Sequence, residues 1–120
     1  MLDVKWQKWN ERKYLYNDFR GAKCENDLLD ILEKEICQLQ IVDEKTPILS
    51  NYSGVILTSG FFKKVKESFK DIGGKKISKS AVIGMVGLNK FIMDMYLLIT
   101  RNKQTRTFID ERSALYWLFS

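Results

Sequence analysis

The chain has 120 residues, 45% of them hydrophobic and 29% charged, with one proline, two cysteines, no histidine and a net charge of +5. That length suits a single domain, 1–120, with one core, and the composition excludes low-complexity, fibrous and disulfide-dense classes. Without histidine, the usual general base near neutral pH and the commonest metal ligand are both missing, and two cysteines cannot complete a zinc site without carboxylates.

The segments Lys5 to Asn10 and Lys13 to Phe19 read as two strands joined by a polar turn at Asn10-Glu11-Arg12. Tyr14 and Tyr16 alternate with their neighbours, as half-buried strands require. Trp6 and Trp9, three apart on a strand, face opposite sides. From Asn26 the period changes to helical: Leu28, Leu29, Leu32, Ile36 and Leu39 share a face, with Asn26 as cap and Asp27 and Asp30 in the first turn. This helix is expected to run to about Gln40, with Cys37 as a buried free thiol. Pro47 to Tyr52 is a strand entered through the proline. A second helix follows from about Ser59, with Phe61, Phe62, Val65, Phe69 and Ile72 inward, and Gly73-Gly74 ends it.

Ser80 to Ile83 is a short apolar strand that turns over Gly84 and Gly87 into a third helix. That helix is expected to face inward with Leu88, Phe91, Ile92, Met95, Tyr96 and Ile99. Thr105 to Ile109 is a strand, and Asp110 caps a last helix whose inner side carries Ala114, Leu115 and Leu118. The predicted order is β-β-α-β-α-β-α-β-α: an α/β fold with a five-stranded mixed sheet and four helices, mainly parallel with right-handed crossovers and helices over both faces.

Charge is unevenly spread. Residues 60–80 carry seven lysines against Glu67 and Asp71, and residues 24–45 carry seven acids against Lys34 and Lys45. Such polarity can orient a partner, but the lysines lack interleaved aromatics and any nucleic-acid motif, so nucleic-acid binding is disfavoured. Residues 1–10 lack a signal-peptide pattern, and the apolar run from 81 to 100 is interrupted by Asn89, Lys90 and Asp94, so no membrane span is expected and the expected location is the cytoplasm.

No nucleophile–base pair, paired-carboxylate signature or metal spacing is legible, so no catalytic residue, cofactor or metal is assigned. Thr58 and Ser59, at a helix start, read as caps. Gly84 and Gly87 read as a tight turn, too poor in glycine for a phosphate loop. The amides at the start of the third helix, with Ser53 and Gly54 across from them, could instead cradle an anion or small ligand.

A resemblance rests on Ser80 to Lys90, Thr107-Phe108-Ile109-Asp110, the Ala114…Trp117-Leu118 ending, Asp18-Phe19-Arg20-Gly21 and Asn51-Tyr52-Ser53-Gly54. Together these look like the bacterial STAS-like proteins, which resemble the sporulation anti-sigma-factor antagonists and share a fold grouping with CRAL-TRIO lipid-transfer domains. The resemblance implies a non-catalytic regulatory module. In regulatory STAS domains a serine at the start of the second helix is phosphorylated; Ser59, with Thr58 beside it, matches that position, and Asn51 stands where those regulators often carry aspartate. The expected partner is a protein, docked through Lys63, Lys64 and the preceding loop. The alternative is a small-molecule or lipid carrier using a pocket at the C-terminal ends of the strands or a cleft between sheet and helices. Self-association is compatible with either.

Overall fold

A two-residue turn sets the opening hairpin. In the computed structural model, which describes residues 3–120, β1 (Val4–Trp9) pairs antiparallel with β2 (Arg12–Asp18), Trp9 opposite Arg12. Asn10 and Glu11 make the turn with φ of 51° and 68°, the paired positive angles that match the right-handed twist of a hairpin. Then come α1 (Glu25–Gln40), β3 (Thr46–Asn51), α2 (Ser59–Lys76), β4 (Ile77–Ile83), α3 (Gly87–Ile99), β5 (Thr105–Phe108) and α4 (Glu111–Leu118). The sheet runs β1-β2-β3-β4-β5, and every pairing after the hairpin is parallel.

Each crossover therefore steps to the adjacent strand in the same direction. With a constant hand, such steps leave their helices on one side, and α1, α2 and α3 share a single face. Their buried Leu28, Leu32, Phe61, Phe62 and Met93 pack with Val82 of β4 and with Phe19, which stacks on Tyr52 at 4.4 Å between ring centroids. Burying each such aromatic contributes about 2–3 kcal/mol. The opposite face carries Tyr14, Tyr16, Leu49, Ala81 and Ile83, covered by Ala114, Leu115 and Leu118 of α4. Trp6 and Trp9 divide between the two sides: Trp6 packs beside Leu15 and Ile48 and donates to Gln38 Oε1 at 3.0 Å, while Trp9 stacks on Phe119. Asp110 accepts from the Ser113 amide at 2.8 Å and caps α4 as expected.

Four local expectations need correction. The cap of α1 is Cys24, not Asn26, and its side chain makes no capping bond. The buried face of α1 is Leu28, Ile31, Leu32, Glu35 and Leu39; Leu29 and Ile36 pack against the core as expected, but Cys37 is exposed and not buried. Gly73-Gly74 does not end α2, which continues to Lys76. Gly73 is buried, and its carbonyl accepts from the Ile77 amide and from Gln104 Nε2, so tertiary contacts hold the helical turn that glycine would weaken alone. On α3 only Met93 is fully buried, while Leu88, Phe91, Met95 and Ile99 are exposed. No helix among the described residues is long and apolar enough to cross a membrane.

Candidate functional site

The packing of α3 decides where a site can form. It reaches the core only through Met93 and the partly buried Ile92, Tyr96 and Leu97, and Tyr96 meets Phe62 of α2 at 5.2 Å between centroids. Between the two helices, above the sheet, lies a cleft of about 910 Å³, within the range of sites that take drug-sized ligands. Its walls are apolar, with Val65 and Phe69 from α2 and Tyr96 and Leu97 from α3; its rim carries Lys63, Lys66, Lys70, Arg101 and Lys103 against the single acid Glu67. It runs along the sheet, from Ile77, Gln104 and Thr105 at the starts of β4 and β5 to Ser50, Tyr52 and Val82 near the ends of β3 and β4, and so lies between sheet and helices, one of the two places that the ligand-carrier alternative names.

The floor is polar. Glu35 from α1, Ser50 and Tyr52 from β3 and its continuation, and Ser80 from β4 all line it. Glu35 is only 6% exposed. Burial pushes its carboxyl up to about 8, against an opposing hydrogen bond from the Asn17 amide, so at neutral pH the group is predominantly the neutral acid. The Tyr52 phenol is likewise raised by burial and by Glu35, with Ser50 as its hydrogen-bonding neighbour. Asn17 donates to Ser50 Oγ at 3.3 Å, while its fully buried Oδ1 has no hydrogen-bond partner. A buried acceptor in that state costs about 1–3 kcal/mol. Four polar side chains thus converge at the bottom of an apolar slot. The sequence signal for this is the position of Glu35 in the stripe Leu28, Leu32, Glu35, Leu39.

The residues singled out from sequence lie at the start of α2 and in the turns that follow β3 and β4, and of them only Lys63 is shared with the cleft. Thr58 caps α2, accepting from the Phe61 amide at 3.2 Å and donating to the Glu25 carboxylate. A Cβ at Gly60 would run into that same carboxylate, so the starts of α1 and α2 are pressed together. Ser59, Lys63 and Lys64 are exposed. Asn51 Oδ1 accepts from both the Ser53 amide, at 3.0 Å, and the Ser53 hydroxyl, at 2.8 Å, while Asn51 Nδ2 donates to Tyr16 Oη at 3.1 Å. Gly84, with φ of +85°, lies directly against the Ser53 backbone, where any Cβ would collide. Ser53, Gly54 and Gly84 are therefore brought to one place, but as an interlocked turn. Gly87, with φ of +57°, has open space around its Cα. Asn89 completes the lock by donating to the Val55 carbonyl and accepting from the Leu57 amide.

No protein-family model and no curated protein matches the chain. The fold itself has a solved counterpart: the crystal structure of an uncharacterized protein of the DUF3478 family with a SpoIIAA-like fold, from Shewanella loihica PV-4, is similar to it with a TM-score of 0.68 and 18% sequence identity. The similarity covers 96% of this chain and 91% of that one, so the chain has the SpoIIAA-like, that is STAS-like, α/β fold over essentially its whole length.

Proposed function

We propose that the chain is a non-catalytic regulatory module that docks a protein partner through the outer face of α3 and the loops that precede α2 and α3. One observation carries this reading. Leu88, Phe91, Met95, Leu98 and Ile99 are all exposed, and their spacing of three, four, three and one puts them on one helical stripe. Val86, 72% exposed, and Ile56, 82% exposed, add apolar surface in the loops before α3 and α2, the latter tied to α3 by Asn89. Exposed apolar surface of this kind supports an interaction surface. The resemblance to anti-sigma-factor antagonists supports a regulatory role for the partner.

Within this reading Ser59 is the place for a phosphorylation switch. It is exposed at the first turn of α2, whereas the Thr58 hydroxyl is used in the cap and faces the Glu25 carboxylate. A phosphate on Ser59 adds about −2 of charge close to the exposed Lys63 and Lys64 and alters the surface at the edge of the apolar patch.

The test is a pull-down from the native cell with the wild type and with Phe91→Lys/Leu98→Lys, alongside light scattering of both proteins. A specific partner lost in the double variant, with the helical signal intact, supports the reading. Equal capture by both proteins overturns it, and so does a wild-type dimer that the variant converts to monomer with no other partner lost.

A further inference from the structure

The cleft between α2 and α3 is separate from the α3 outer stripe, and its chemistry is different. Its volume of about 910 Å³ is far more than packing leaves between neighbouring helices by accident. The walls are apolar aromatic and aliphatic side chains, among them Phe62, Phe69 and Tyr96. At the mouth, five cations face one acid, Glu67, and among the described residues none of the five is in an ion pair. At the floor, the Glu35 side chain is more than nine-tenths buried yet lines the cavity, with Ser50 and Tyr52 beside it.

We propose that this cleft binds a small single-chain amphipathic anion, its apolar body between Phe62, Phe69 and Tyr96 and its charged end among Lys66, Lys70 and Arg101. The orientation follows from where charge can be accommodated. A carboxylate or sulfonate driven to the floor would be desolvated beside the Glu35 carboxyl with no cation to pair it, which is unfavourable by several kcal/mol. At the rim it meets unpaired, solvated cations and keeps part of its hydration. The floor groups stay hydrogen-bonded within the protein, Asn17 to Ser50 and to Glu35, so an uncharged chain end can lie above them. The volume suits one chain, not a lipid with two full acyl chains.

Titration calorimetry of the full chain with sodium dodecanoate and, separately, dodecylammonium chloride tests this, with two-dimensional NMR to place the binding. Dodecanoate is expected to bind once per chain, with shifts at Val82, Met93 and Leu97, and with affinity at least tenfold above that of dodecylammonium. Lys66→Glu/Lys70→Glu is expected to weaken dodecanoate at least tenfold, and Leu97→Trp, which narrows the slot, to abolish binding while the circular dichroism stays native. Dodecylammonium binding as tightly as dodecanoate would overturn the proposal. So would dodecanoate shifts confined to Leu88, Phe91 and Leu98, or affinity that neither variant changes.

Discussion

Replacing Glu35 by glutamine should make the protein more stable, by an amount that grows with pH. In the fold the carboxyl titrates at about 8, against an ordinary 4.5 in the unfolded chain. Between those values the unfolded state has released a proton that the native state still holds, so stability falls as pH rises. The loss is absent below about pH 4.5 and complete above about pH 8. At about 1.4 kcal/mol per pH unit, the whole gap is about 5 kcal/mol, and about 3 kcal/mol of it has accrued by pH 7. Glutamine keeps the shape and a hydrogen-bonding group beside Asn17 but cannot ionise. Urea denaturation of wild type and Glu35→Gln at pH 5, 7 and 9 reads the effect as a difference in which the other titrating groups cancel. The two proteins should agree within about 1 kcal/mol at pH 5 and diverge in favour of the variant by several kcal/mol at pH 9. A constant difference across that range would refute the assignment of Glu35 as a buried neutral acid.

Other consequences are equally open to measurement. Thr58→Ala removes the hydroxyl that receives the Phe61 amide and should cost about 1 kcal/mol in urea midpoint analysis; no loss would mean the cap is not formed in solution. Gly84→Ala forces a side chain into positive φ and against Ser53, with an expected destabilisation of about 1–3 kcal/mol; a melting temperature equal to wild type would contradict that turn. Cys24 and Cys37 are both exposed, so both should react with a thiol reagent in the native protein at rates close to those in denaturant, whereas protection of Cys37 would restore the buried orientation expected from sequence.

The element order was legible because the hydrophobic period switches cleanly between two and 3.6 along the chain, and because Asp110 and the Asn10-Glu11 turn mark boundaries with specific chemistry. The site was not legible in the same way. On α1 the apolar stripe shows Ile36 packing inward, but Glu35, one residue before it, is buried as well, and hydrophobic periodicity carries no signal for a buried acid. On α3 apolar residues surround the helix, so no stripe distinguishes Met93, which is buried in the core, from Leu88 and Phe91, which stay mostly exposed. The cleft lies where α3 meets α2 beside the Tyr96–Phe62 ring pair, a tertiary circumstance with no local signature. Thr58 caps α2, as its place at a helix start suggests, whereas Ser53, which the sequence offers as part of a ligand cradle, spends its amide and hydroxyl on Asn51.

Because the five strands lie side by side in the order of synthesis, each newly made βα segment can settle against the one before it as the polypeptide leaves the ribosome. The reverse side of the sheet has no such early cover. Tyr14, Leu49 and Ala81 stay open to solvent until α4 is released and folds across them. Nascent chains stalled before that helix should therefore be the ones that chaperones hold, even though most of their architecture is already in place.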